Sequence, residues 1–313
     1  MDNIIIRPKT REDWLKVREG GIGSSEIASV VGLNPWETPY QLWRRKVGID
    51  PPKQENFAMK AGHYLEDAVA RFWMDETGKE IIKSSATDWI IRDKARMYLQ
   101  VSPDRTYWLP DKPRNSKNKG ILECKTTQMS IDADDLPKHW FVQVQYQLGV
   151  ANLTEGSLAW LSSGREFGYR DLAFVPDFYA WLVEEAERFW VDHIVAKVEP
   201  VPMNVKDVML KFDKHTDGKV VEVSDEVFSC YQELKNVKNE IDMLEDRKAE
   251  LEGKLKMAFE DAEAISYGGN TIATWKSPKP TRKFDSKAFM RDHADISAPY
   301  IIEQQGARRF LLK

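Results

Sequence analysis

Residues 101–127, VSPDRTYWLPDKPRNSKNKGILECKTT, constrain this chain more than any other stretch. Two apolar runs flank a basic loop punctuated by Gly and Pro, the pattern of two strands joined by a chain reversal. Asp104 stands at the end of the first strand and Glu123 lies on the next. Lys125 follows two residues later, and a strand's period of two puts it on the same face as Glu123. A chain folded this way brings two acids and a lysine to one edge of a sheet.

Such an edge has a use. Two carboxylates can hold Mg²⁺, which prefers oxygen ligands and keeps several waters. The backbone carbonyl of Cys124 is placed to add a third oxygen. Lys125 is suited to orient or activate a water, or to neutralise transition-state charge. The chemistry is metal-assisted phosphodiester hydrolysis. Glu66, next to Leu65 at the margin of an apolar helix stripe, is the candidate third acid. Taken alone, Asp-x(18)-Glu-x-Lys arises by chance in many charged chains, so its surroundings must carry the reading.

A chain of 313 residues holds one large domain, or a core with an accessory domain. At 42% hydrophobic with 11 Trp it can fill a buried core. No apolar run approaches the ~20 residues of a membrane helix, and MDNIIIRPKTRED lacks the apolar stretch of a signal peptide. Cys124 and Cys230 exclude a disulfide framework and a four-cysteine zinc or iron–sulfur site. The expected compartment is the cytoplasm, that of a bacterial host if the chain is phage-encoded. A formal charge of −4 gives no bulk attraction to nucleic acid, so DNA binding has to rest on local patches. Arg44, Arg45 and Lys46, and Lys112, Arg114, Lys117 and Lys119, are either solvated faces or backbone contacts.

Helices are expected over 24–32, with Ser24 or Ser25 as N-cap, over 38–48, and within 50–78, where Leu65, Val69, Phe72 and Trp73 form a stripe. Residues 86–93 and 95–109 read as paired strands, 120–127 as a third strand, and 139–152 as a helix. A hairpin over 156–175 and a long helix over 177–198 follow. PVPM (200–203) marks a boundary between a core, 1–200, and an extension, 201–313. In the extension, about 224–265 carries apolar residues at 227, 231, 234, 237, 241, 244, 251 and 255, a helical hairpin or coiled-coil arm interrupted by Lys248 and Gly253. ISYGGNTIATWK signals a hairpin in a small α+β tail.

Gly62-x-x-x-Glu66, SPD (102–104), ECK (123–125) and HWFVQVQYQLGV (139–150) occur in the order seen in the YqaJ-like viral recombinases, which resemble phage lambda-type exonucleases of the PD-(D/E)xK superfamily. GIGSSEIASVVGLNPWETPYQLW (21–43) resembles that family's N-terminal signature. The resemblance implies an α/β fold, a mixed β-sheet flanked by helices, and a Mg²⁺-dependent 5′→3′ exonuclease on double-stranded DNA ends, with Mn²⁺ as a substitute. Glu66, Asp104 and Glu123 then become metal ligands and Lys125 catalytic, while Arg18, Ser25, Ser102 and Gln143 match positions that bind the 5′-terminal phosphate. Gln147 shares a helix face with Gln143 and is in reach of the same site. The resemblance also implies recombination with a single-strand annealing partner and a ring-shaped homo-oligomer. The competing reading is a recombination scaffold that docks the annealing protein without cutting.

Overall fold

The computed structural model describes residues 3–82, 89–303, 306 and 308–312. The chain divides into two compact units, Met1–Lys211 and Phe212–Lys313. The first runs past the PVPM segment because Asp207 is tied back to it: its carboxylate accepts from Thr38 Oγ1 at 2.9 Å and Gln41 Nε2 at 2.7 Å.

The first unit begins with β1 (Asn3–Ile6), α1 (Arg11–Glu19, capped by the Thr10 hydroxyl), α2 (Ile27–Val30), α3 (Pro39–Lys46) and α4 (Phe57–Thr77). Strands β2 (Ile81–Ile82), β3 (Ile90–Asp93), β4 (Gln100–Val101), β5 (Arg105–Trp108) and β6 (Lys119–Thr127) follow. Then come α5 (Lys138–Ala151), β7 (Glu155–Ser162), β8 (Glu166–Ala173), α6 (Pro176–Arg188) and α7 (Val205–Lys211). The central sheet has the order β2-β5-β6-β7-β8, with β6 and β7 parallel and the other pairs antiparallel. Helix α5 supplies the crossover that a parallel pair requires.

The sheet is covered on both faces. Alternation along β6 and β7 sends Ile121, Leu158 and Trp160 into one core with α5, and Leu122, Ala159 and Leu161 into a second with α4. The buried stripe of α4 is Val69, Ala70 and Trp73, while Leu65 and Phe72 are exposed. The expected stripe is therefore rotated, and Glu66, one turn before Ala70, falls on the inward face instead of its margin. Gly62 lets this helix approach β6, since a Cβ there would stand 3.4 Å from Thr126 Oγ1.

The expected strand 95–109 is broken at Ser102–Asp104, and its parts enter different sheets. β4 pairs with β3 beside β1, whereas β5 joins the central sheet. Pro103 cannot donate to a ladder, which ends the pairing there. Residues 86–88 of the other expected strand lie outside the described residues; the described strand starts at Ile90. The expected helix 177–198 ends as α at Arg188 and continues as a π-helical turn, Phe189–Val195.

Gly149 on α5 lies against Tyr179 of α6, where an added Cβ would stand 2.2 Å from the ring. Alanine would gain up to about 1 kcal/mol in helix propensity but force an overpacking cost of about 1–3 kcal/mol. Gly149→Ala is therefore expected to lower the denaturant midpoint of the first unit, as read by urea unfolding.

The second unit holds α8 (Asp225–Phe259), capped by Ser224, and a hairpin of β9 (Ala264–Tyr267) and β10 (Asn270–Thr274). Gly268 and Gly269, at φ +58° and +82°, form the two-residue turn that the Gly-Gly-Asn signal announced. Two short helices, α9 (Ser286–Asp292) and α10 (Ala294–Ser297), follow. Residues 225–259 make one continuous helix, so the expected hairpin alternative is set aside; an exposed helix interior tolerates Gly253 at a modest cost. Among the described residues, no helix is long and apolar enough to cross a membrane.

Candidate active site

The break before β5 makes the site. Arg105 pairs with Leu122, and beyond that rung β6 has no strand on that side. Asp104 fills the gap: its Oδ2 accepts the Cys124 N–H at 2.8 Å. A strand residue's N–H and C=O point the same way, so the Cys124 carbonyl opens beside Asp104. Glu123 and Lys125 stand on the α5 face of β6, and Glu66 descends from α4 on the other. Asp104 lies in the strand plane between them.

Each acid is held. Glu123 is buried; it accepts from Lys125 Nζ and Gln143 Nε2, both at 2.6 Å, and from Gln147 Nε2 at 2.8 Å. Lys125 Nζ also donates to Gln143 Oε1 at 2.9 Å. One helical turn separates Gln143 from Gln147, so α5 presents both to the same carboxylate. Gln145 faces away and bonds Ala173 and Val175. Glu66 is paired with Arg105, whose guanidinium also reaches Asp67 at 2.5 Å and the Asp104 carbonyl at 2.6 Å.

Burial, followed by Glu123 and Glu66, pushes the Asp104 carboxyl well above its ordinary value. Burial also raises Glu66, against the pull of Arg105. For Lys125, burial works against the charge, but Glu123 and Asp104 outweigh it and hold the group as an ammonium. An ammonium held there suits a cation facing phosphate.

A second cluster lies at the α1–α2 connection. Arg18 Nη2 donates to Ser25 Oγ at 2.9 Å, and its guanidinium stacks 4.6 Å from the Trp14 ring. Gly23 makes room, since a Cβ would lie 3.0 Å from the Arg18 guanidinium. Gln100 Nε2 holds the Arg18 carbonyl at 2.5 Å. Below, buried Glu26 binds Lys46 at 2.8 Å, Arg45 at 3.1 Å and the Gly23 N–H at 2.8 Å.

This packing corrects two expectations. Helix α2 starts only at Ile27, with Glu26 at the N-cap position, so neither Ser24 nor Ser25 caps it. The Ser25 hydroxyl is engaged by Arg18 and that of Ser24 by Gln147. Arg44, Arg45 and Lys46 are neither a solvated face nor a backbone grip. Arg44 binds Asp50 at 2.8 Å, Arg45 binds Glu37 and Glu26 at 3.1 Å, and Lys46 binds Glu26.

Arg18, Ser25, Glu66, Ser102, Asp104, Glu123, Lys125 and Gln143 all line one cavity of about 380 Å³. Cys124 does not line this cavity; its N–H is held by Asp104 and its thiol is pushed well up by burial. Trp36, exposed and edge-on to His139, lines a separate cavity. The residues that sequence reasoning missed are Arg105, Gln100 and Glu26. Arg105 adjoins Asp104 in sequence, but nothing local announces that it turns to Glu66.

Among the described residues, no three acid, histidine or cysteine side chains are already gathered for a metal. Glu66 leans to Arg105 and Glu123 to its lysine and glutamines. The donor set nonetheless fits a hard divalent cation: carboxylates and a carbonyl are its preferred ligands, and the crowding that lifts Asp104 is what such a cation relieves.

The description "YqaJ-like viral recombinase domain" matches residues 13–154. That segment contains every residue named for the cavity. Over residues 13–154 the chain is thus similar to a YqaJ-like viral recombinase domain. The uncharacterized protein YqaJ of Bacillus subtilis is 27% identical over 315 residues, spanning 97% of this chain and 94% of that one. The chain is also similar to a solved alkaline exonuclease (LHK-Exo) from Laribacter hongkongensis, with TM-score 0.48 and 16% identity, over 59% of this chain and 93% of that one. It is also similar to a phage related exonuclease from Haemophilus somnus, with TM-score 0.37 and 10% identity, over 57% and 96%.

Proposed function

We propose that the first unit is a Mg²⁺-dependent 5′→3′ exonuclease that resects double-stranded DNA ends. It leaves 3′ single strands of the kind a recombinational annealing protein takes up. One observation carries this reading: Glu66 and Glu123, from opposite faces of a sheet, line one cavity with Asp104 and with Lys125, whose ammonium is hydrogen-bonded to Glu123 and Gln143. When bound by Glu66, Asp104, Glu123 and the Cys124 carbonyl, Mg²⁺, or Mn²⁺ in its place, supplies a Lewis acid and a water of lowered pKa.

The chain's own groups do the rest. Lys125, fixed by Glu123 and Gln143, directs its ammonium at the scissile phosphate and stabilises the charge that builds there. Gln143 and Gln147 fix the Glu123 carboxylate, so its orientation is set before substrate arrives. Arg18 and Ser25, with Ser102 across the cavity, receive the 5′-terminal phosphate. Arg18 is steadied by Trp14 and can offer a planar fork to the phosphate oxygens.

The test is digestion of an end-labelled linear duplex in Mg²⁺, comparing 5′-phosphate with 5′-hydroxyl ends. A charge-assisted hydrogen bond worth about 1.5–3 kcal/mol corresponds to a preference of roughly 10–100-fold for the phosphorylated end. Arg18→Met is expected to erase that preference. Equal rates on both ends with the unaltered protein would remove the phosphate pocket; release of nucleotides from 3′ ends would overturn the polarity.

A further inference from the structure

Helix α8 is exposed almost throughout, yet it is not polar all round. Val227, Leu234, Ile241, Lys248 and Leu255 recur every seventh residue. Cys230, Val237, Leu244 and Leu251 do the same, three residues later. These are the a and d positions of a heptad, and Gly253 falls on the outward side. The stripe lies in solvent, with Ile241 50% and Leu244 69% exposed. A helix about 52 Å long at 1.5 Å per residue does not keep such a seam bare: contiguous apolar surface of this extent marks a docking face.

We propose that α8 pairs with α8 of a second copy of this chain as an antiparallel coiled coil. The charges beside the seam choose this occupant and this direction. With the two-fold axis crossing between Asp242 and Met243, Ile241 packs against the partner's Leu244. In that register Glu233 meets the partner's Lys254, and Glu240 meets the partner's Arg247. On the other flank Lys238 meets the partner's Glu245. Each pair is of opposite sign and occurs twice by symmetry.

A parallel pair does worse. It sets Glu240 against the partner's Glu245, and it buries Lys248 directly opposite the partner's Lys248. The antiparallel register instead places Lys248 against the partner's Val237, where its stem covers apolar surface and its ammonium reaches solvent. Sliding the antiparallel pair by one heptad confronts like charges, Glu240 with the partner's Glu240 or Arg247 with the partner's Arg247. Only the centred register avoids them, and it also overlaps the helices along their full length. Within one helix Glu250 takes both Arg247 and Lys254, at 2.5 and 2.6 Å. These exposed clips are weak and compete little with pairs across the seam.

The experiment is sedimentation equilibrium on the full chain. An assembly with an even number of chains is expected, and Leu244→Glu should halve it. A monomer at all concentrations, or a three-chain ring unchanged by Leu244→Glu, would overturn the proposal. Direction is read from Glu240→Lys. The introduced lysine faces the partner's Arg247 in the antiparallel pair, so association should weaken roughly tenfold. In a parallel pair it would face the partner's Glu245 and association would tighten. Adding Arg247→Glu to Glu240→Lys should restore wild-type association, since the pair is reversed but intact. The ends of the rod give an independent reading: antiparallel packing keeps the two Cys230 residues apart, so mild oxidation should yield no Cys230–Cys230 crosslink, and a crosslink would overturn that direction.

Discussion

Asp104→Asn is expected to cripple DNA cleavage and, at neutral pH, to raise the thermal midpoint of the metal-free protein. The two effects share one cause. Asp104 is buried beside Glu123 and Glu66, and its carboxyl is pushed well up by burial and then by those charges. A carboxyl raised in the folded state favours the fold at low pH. That contribution is lost as pH rises from the ordinary 3.8 through the folded value. The amide removes this loss while its carbonyl still accepts the Cys124 N–H. The gain should vanish at acid pH, and each kcal/mol relieved moves the midpoint by about 2–4 °C in a unit of this size. Cleavage, read with the end-labelled duplex, should fall about 10²–10³-fold, the scale of losing a preorganised electrostatic group. Mg²⁺ should raise the midpoint of the wild type by mass action and leave the variant unmoved. Full activity in Asp104→Asn would overturn the catalytic assignment.

Glu26→Gln is expected to destabilise the first unit strongly. Lys46 is 5% exposed and Glu26 10%, and removing one partner of a buried ion pair leaves the other charge stranded. The cost is about 3–5 kcal/mol, a fall of roughly 10 °C in thermal midpoint. Burial opposes the Glu26 charge, but Lys46, Arg18 and Arg45 together pull its carboxyl below the ordinary 4.5. A carboxyl lowered in the folded state contributes stability that is complete above the unfolded value. It is lost as pH falls through the folded one. The wild type should therefore lose stability on acidification below about pH 4.5, and Glu26→Gln should lose less there, measured by denaturant unfolding across pH. Because Glu26 also holds the Gly23 N–H, the variant should loosen the Arg18–Ser25 pocket and blunt the preference for phosphorylated ends. An unchanged midpoint would show that the Lys46 charge is satisfied by the Gly21 and Arg18 carbonyls.

The chain order of Glu66, Asp104, Glu123, Lys125 and Gln143 was legible because each sits in a short segment whose local pattern is strong. These are an amphipathic helix, a Ser-Pro break, an alternating strand and an apolar helix with spaced glutamines. Strand period places Glu123 and Lys125 on one face without any tertiary information, and helix period joins Gln143 to Gln147. What such patterns cannot carry is partner choice between segments far apart in the chain. Arg105 turns to Glu66 across a separation of 39 residues, and Glu26 gathers cations from α3. A run of Arg44, Arg45 and Lys46 looks the same in sequence whether it faces DNA or a buried acid; burial decides, and burial is a property of the assembled unit.

The sequence by itself determined that helices alternate with strands through the first unit, that Glu123 and Lys125 share one strand face, and that about 224–265 carries apolar residues at near 3.5-residue spacing. Those are local matters of period and composition, written in residues a few positions apart. Tertiary structure alone decided that Pro103 divides one apparent strand between two sheets, that Glu66 reaches the cavity from the face opposite Glu123, and that Lys125 bonds Gln143 as well as Glu123. Each depends on which surfaces exclude water together, and desolvation arises only when distant segments pack.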